Sequence, residues 1–207
     1  MTGAATVAFA ILTLAVKTTA DPLDVDLWLH GWLELHRTPA LTFVALAVTS
    51  TGASAVLVPL IFLVAFAASR GPWTRRLAVA LFSAGVVLLG VGIRLGVSDL
   101  VARSRPPQSD WAGYASGYAF PSGHSTAAAL ATGLLLWLVA CRLEGRSRFP
   151  ALSGVAAWGV AVGLTRAYLG VHWPTDVLGA WILSSACLCA AGATARWACG
   201  HRTTPEG

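Results

Sequence analysis

The chain has 207 residues, 56% of them hydrophobic and only 11% charged, where a soluble domain carries about 25% charged residues. That balance excludes a water-soluble globular domain and points to one that dissolves in lipid. The formal net charge of +5 does not indicate nucleic acid, because the Lys and Arg residues lie beside apolar spans and form no dense patch with interleaved aromatics.

In chain order, six stretches are apolar enough to be candidates for crossing a bilayer, which takes about 20 residues as helix. They run from Thr2 to Val16, Leu41 to Ala68, Leu77 to Ile93, Ser125 to Cys141, Phe149 to Thr165 and Val177 to Ala195. The expected fold class is therefore all-α, an integral membrane bundle of six transmembrane helices. One domain covers residues 1–202, and a short tail covers 203–207. The first stretch lacks the Lys or Arg start of a signal peptide and reads as a retained helix. The second contains Pro59, where a kink is expected.

Between the first two spans, Asp21-Pro22 offers a helix start. Val25, Trp28, Leu29 and Trp32 then recur at helical spacing, with Asp24, Asp26, His30 and Glu34 elsewhere on the surface. This reads as an amphipathic helix at the membrane interface or packed on the bundle, with His30 and His36 as solvated positions. Cys141, Cys187, Cys189 and Cys199 fall in or beside apolar spans and read as packing residues rather than a disulfide framework or metal site.

Lys and Arg collect in cytoplasmic loops. Arg70, Arg75 and Arg76 mark one loop, Arg142, Arg146 and Arg148 the loop two spans later, and Arg196 with Arg202 flank the C-terminal end. The expected location is the cell inner (plasma) membrane, multi-pass, with both termini cytoplasmic. The loop from Ser98 to Gly123 and the turn around His172 then face outside.

Three polar clusters share that outer end: Arg103-Ser104-Arg105-Pro106, Pro121-Ser122-Gly123-His124, and Thr165-Arg166 followed by His172 and Asp176. Phosphoryl transfer needs donors for the equatorial oxygens, an in-line nucleophile and an acid for the leaving oxygen. Arg105 and Arg166 offer planar bidentate donors. Ser122 adds a hydroxyl, Gly123 allows close approach of the backbone, and the N–H groups around both open the fourth span. Asp176, four residues beyond His172, can reach back to one ring nitrogen and stabilise the imidazolium formed when the other attacks. His124 is left to protonate the leaving oxygen. Trp111, Tyr114 and Tyr118 precede His124 and serve as a covering loop or a plain connection.

With these motifs in order, the chain resembles the type-2 phosphatidic acid phosphatase family, the lipid phosphate phosphatases related to vanadium haloperoxidases. That family has Lys followed seven residues later by Arg-Pro, then Pro-Ser-Gly-His, then Ser-Arg with His six and Asp ten residues beyond the Arg. Here the matches are Arg105-Pro106, Pro121-Ser122-Gly123-His124, and Arg166, His172 and Asp176, within about residues 75 to 195. The resemblance implies a phosphohistidine on His172, with His124 as general acid and Asp176 as orienting carboxylate. Arg105, Ser122, Gly123 and Arg166 would hold the phosphate, with no metal and no cofactor. The implied substrate is a lipid phosphate or diphosphate among membrane lipids, first a polyprenyl diphosphate such as undecaprenyl diphosphate. Phosphatidylglycerophosphate, phosphatidic acid and phosphotransfer to another acceptor are the alternatives. Thr165 replaces the family's Ser, and Ser98 stands at its Lys position. Arg94, one turn before Ser98, is expected to supply the missing charge, with Arg103 as second candidate. A transporter is the rival class, but it would place polar residues near span centres, and here they sit at span ends.

Overall fold

The computed structural model describes residues 2–19 and 22–200, with side chains as far as residue 195. Asp21 of the expected helix start, Arg202 and the tail 203–207 lie outside the described residues, as do the side chains of Arg196 and Cys199. Among the described residues there are eight α-helices and no strand: α1 (Thr2–Thr18), α2 (Asp24–Leu35), α3 (Pro39–Ser50), α4 (Ser54–Ala68), α5 (Trp73–Val101), α6 (Gly123–Arg142), α7 (Arg148–Tyr168) and α8 (Pro174–Gly200). By length and apolarity α5, α6 and α8 each suffice to cross a membrane, and α3 with α4 passes as one bent pair. At 17 residues α1 is a shorter apolar helix. The large apolar side chains left exposed, such as Phe43, Leu63 and Leu89, coat the outer surface of a protein embedded in membrane, where their surroundings are lipid rather than water.

The second expected span is broken, and not at its proline. Pro59 lies inside α4, while α3 and α4 meet at 56° across residues 51–53. Two hydroxyls turn back on the end of α3, Ser50 Oγ donating to the Ala47 carbonyl and Thr51 Oγ1 to the Val48 carbonyl, each at 2.7 Å. Gly52 then passes against Val162 of α7, where a Cβ would collide. The elbow is pinned by Trp158 Nε1, which donates to Thr51 Oγ1 at 2.9 Å.

The core lies where α4, α5, α6 and α7 meet, around Leu57, Ile61, Val87, Leu130 and Val162, all fully buried. Small residues set the helix approach: Gly90 faces Leu130, Gly159 faces Thr132, and Gly163 faces the Trp181 indole.

Helix α2 forms as expected and corrects the expectation made for His30. Trp28 and Trp32 are exposed, as are Val25 and Leu35, whereas Asp26 is 0% and His30 8% exposed. His30 Nε2 meets Asp110 Oδ2 at 3.1 Å and its ring lies 5.2 Å from that of Trp173, so it is not a solvated position. Of the polar residues on α2, Asp26 and His30 turn into the protein while Asp24 and Glu34 stay exposed beside the apolar side chains. His36, by contrast, is exposed.

Candidate active site

Helix α5 runs further than its apolar stretch, so Arg94 and Ser98 are helical and the long loop begins at Ala102. Ala102 caps the helix in the left-handed region at φ 52°, a conformation that costs a residue with a Cβ roughly 1–2 kcal/mol. Its N–H donates to the Ser98 carbonyl at 2.9 Å, and the next residue's carbonyl, that of Arg103, accepts from Ala119 N–H at 2.9 Å. This turn folds the loop back over the bundle end and places Arg103 and Arg105 inside it.

Arg105 directs all of its donor atoms at the chain. Nε donates to the Gly117 carbonyl at 2.8 Å, Nη2 to those of Ser116 and Tyr118 at 2.8 and 3.0 Å, and Nη1 to that of Val171 at 2.6 Å. Nη1 also lies 3.0 Å from His172 Nε2. His172 sits in the short connection between α7 and α8 and is 2% exposed. It is buried although its turn lies at a bundle end, because the loop of Arg105 covers it. Burial, and then the charges of Arg105, Arg166 and Arg94, push its imidazole well below the ordinary range, while the Ala119 backbone opposes this.

Asp176, fully buried in the first turn of α8, lies with Oδ2 3.4 Å from His172 Nδ1, close but off hydrogen-bond alignment. The same oxygen accepts from Trp173 N–H at 2.8 Å, and Oδ1 accepts from Arg103 Nη1 at 2.5 Å. Arg103 is therefore committed to carboxylates: its Nη2 donates to Asp26 Oδ2 at 2.6 Å. Of the two arginines expected to replace the family's lysine, Arg94 is the one without a carboxylate partner among the described residues. Arg94 Nε donates to the Pro121 carbonyl at 2.7 Å, and the guanidinium carbon lies 3.5 Å from where a Cβ on Gly123 would stand. Ser98 is buried one turn further on and brings no charge.

Helix α6 starts at Gly123 with Ser122 as its cap. Ser122 is 0% exposed, its hydroxyl accepts from Ser125 Oγ at 2.8 Å, and its N–H donates to the Asp176 carbonyl at 3.1 Å. That N–H, expected to face an anion, is thus spent on α8. The first helical bond is Thr126 N–H to the Ser122 carbonyl, so the N–H groups of Gly123, His124 and Ser125 precede it. His124, half-buried, stands within electrostatic reach of Arg166, Arg105 and Arg94. Arg166, 3% exposed, donates Nη1 to Thr49 Oγ1 at 3.1 Å and Nη2 to the Tyr114 carbonyl at 3.3 Å. Its buried Nε has no acceptor among the described residues.

Arg94, Arg105, His124, Arg166, His172 and Asp176 are thus brought to one end of the bundle. Trp111 is an anchor rather than a cover, with Nε1 donating to the Pro106 carbonyl at 2.9 Å and its ring packed near Leu169 and Val171. Tyr114 and Tyr118 face outward. Sequence reasoning missed Thr49, Asp26 and Thr175. For Asp26 a signal existed in its spacing from His30, which marks a polar stripe on an apolar helix. His30, Glu34 and Asp110 bring ligand-type atoms within 4.8 Å of one another, but His30 and Asp110 are already paired directly and Arg37 Nη1 donates to the Asp110 carbonyl at 2.7 Å.

Residues 73–198 match the family model of the PAP2 superfamily. The chain is 31% identical over 179 residues, 84% of its length and 85% of the relative's, to phosphatidylglycerophosphatase B of Bacillus subtilis strain 168. It also superposes on the crystal structure of a transmembrane PAP2-type phosphatidylglycerolphosphate phosphatase from Bacillus subtilis, with TM-score 0.82, 24% identity, and coverage of 100% of this chain and 98% of that one. Similarity extends to LpxE of Aquifex aeolicus, with TM-score 0.68, 17% identity, and coverage of 85% and 99%.

Proposed function

We propose, for a chain that belongs to the PAP2 superfamily and is a lipid phosphatase, a two-step reaction carried by His172 and His124. In the first step His172 Nε2 attacks phosphorus, the bond from phosphorus to the lipid oxygen breaks, and His124 gives that oxygen a proton. In the second, water loses a proton to His124 as its oxygen bonds phosphorus, the P–N bond breaks, and phosphate leaves. Asp176 stabilises the imidazolium between the steps. The observation that carries the reading is the Arg105 contact: a guanidinium only donates, so His172 Nε2, 3.0 Å from Nη1, holds its lone pair toward the arginine cluster. Once Nε2 bonds to phosphorus it no longer accepts from Nη1, and a phosphoryl oxygen takes that donor over. Arg166 Nε, a buried charged donor without an acceptor among the described residues, supports a second oxygen contact. Arg94 beside Gly123 and the first-turn N–H groups of α6 complete the cradle, with Ser122 and Ser98 as its uncharged wall.

We read α1, the bent α3–α4 pair, α5, α6, α7 and α8 as six crossings, with the site outside. Arg70 lies between α4 and α5 with Arg75 and Arg76 in the first turn of α5, and Arg142 ends α6 with Arg146 between α6 and α7. They are therefore at the opposite ends of α5 and α6 from the site, which supports an outer location in a plasma membrane by the bias of basic residues inward. An apolar groove of about 720 Å³ between α2, α3, α7 and α8, lined by Leu29, Val44, Leu164 and Leu178 and bordered by Thr175, supports a substrate with lipid tails. The relative's name favours phosphatidylglycerophosphate. Three guanidiniums around the histidines favour a diphosphate such as undecaprenyl diphosphate as the second reading. The test is phosphate release in detergent from phosphatidylglycerophosphate, phosphatidic acid and undecaprenyl diphosphate, with His172→Gln as control. Release that persists in the variant overturns the nucleophile, and lipid dephosphorylation without free phosphate makes the enzyme a transferase.

A further inference from the structure

Asp26 belongs to none of the three motifs, yet it is one of the most tightly held side chains in the protein. It is 0% exposed. Oδ2 accepts from Arg103 Nη2 at 2.6 Å and from Thr175 Oγ1 at 2.7 Å, and Oδ1 accepts from Thr175 N–H at 2.9 Å. The Thr175 hydroxyl in turn accepts from Arg103 Nη1 at 2.8 Å, the same nitrogen that reaches Asp176. A helix far away in sequence thus caps the first turn of α8, and one guanidinium stands between two buried carboxylates.

We infer that Asp26 is a positioning residue for the reaction, setting both the orientation and the effective charge of Asp176 through Arg103. The charge count gives the reason. Arg103 with Asp176 alone is a neutral pair, and a neutral pair does little for the cation that forms on His172. Adding Asp26 makes the trio of Asp26, Arg103 and Asp176 carry a net charge of −1, in surroundings where charge is weakly screened. Arg103, held from both sides, also keeps Asp176 Oδ1 engaged so that Oδ2 is the oxygen turned to Trp173 N–H and His172 Nδ1. The bland rival is a cap alone, with Asp26 joining α2 to α8 and adding only stability.

This rests on the His172 nucleophile proposed above, and the test separates the two. Asp26→Asn keeps the shape and removes the charge. On dioctanoyl phosphatidic acid in detergent micelles its kcat, per folded enzyme recovered as a single size-exclusion peak, is expected to fall about tenfold or more with KM within about twofold of the parent. In the double variant with Asp176→Asn the loss is expected to be no larger than for Asp176→Asn alone, since both act on one charge. Unchanged kcat with a lowered melting temperature, or losses that multiply, overturns the inference while leaving His172 untouched. Should Asp26→Asn not be recovered folded, Asp26→Glu decides: kcat within about threefold of the parent supports a charge role, and a loss beyond tenfold overturns it. Turnover retained by His172→Gln instead removes the nucleophile and leaves the network without a reaction to serve.

Discussion

Arg105 Nη1 lies 3.0 Å from His172 Nε2 and 2.6 Å from the Val171 carbonyl, so one nitrogen fixes both the proposed nucleophile and the stretch of chain that carries it. The rest of the fork grips the carbonyls of Ser116, Gly117 and Tyr118. An ammonium cannot span that set. Arg105→Lys is expected to keep the positive charge yet lower kcat/KM about a hundredfold, measured as phosphate release, and to weaken inhibition by orthovanadate, which occupies a phosphate site. Parent-like values in both would remove Arg105 from the chemistry.

The pH profile follows from the direction of the His172 shift. The proposed attack requires the neutral ring, and burial with Arg105, Arg166 and Arg94 nearby holds the imidazole well below its usual range. Protonation, and with it loss of the nucleophile, therefore occurs well below about pH 6.5. As pH falls through that value, kcat/KM is expected to show no loss from His172. Removing a positive neighbour raises the ring's affinity for a proton, so Arg166→Gln should move the acid limb to higher pH. An acid limb unmoved in that variant contradicts the assignment.

Arg94 packs on Gly123 and donates to the Pro121 carbonyl, at the position where the family has lysine one turn away. Arg94→Ala is expected to cost about a hundredfold in kcat/KM, with Arg94→Lys recovering part of it. Moving the charge to the family's own position, Ser98→Lys in the Arg94→Ala background, should also recover activity. Full activity of Arg94→Ala would show that the cation is not needed.

Gly179 of α8 faces the Phe120 ring so closely that an added Cβ collides with it, and Phe120 is fully buried directly before Pro121. Gly179→Ala is expected to destabilise by about 1–3 kcal/mol, read as a lowered melting temperature in detergent. Activity should fall too, because Phe120 carries the chain into Ser122 and His124. A variant as stable as the parent would mean that the ring has room to move.

Much of the site was legible because phosphoryl transfer demands particular residue types at particular spacings. His172 and Asp176 are four apart at a helix start, His124 follows a glycine at another, and both lie at span ends. The competition between donors was not legible. Arg103 and Arg105 look alike in the sequence, yet one is clamped between Asp26 and Asp176 and the other faces His172. Ser122 N–H looked free for an anion and is held by α8.

Composition and hydropathic pattern by themselves determined that the chain is helical and lives in lipid, because those properties are local and additive along the chain, while the motifs around Arg105, His124 and Arg166 and the family resemblance they carry pointed to phosphoryl transfer. Tertiary structure alone decided that α2 turns Asp26 and His30 inward, that the second span breaks at Gly52 rather than Pro59, and that His172 is buried. Each of these depends on what lies across from a residue, lipid, helix or carboxylate, and a buried polar group is tolerated only where its partner, distant in sequence, is brought to meet it.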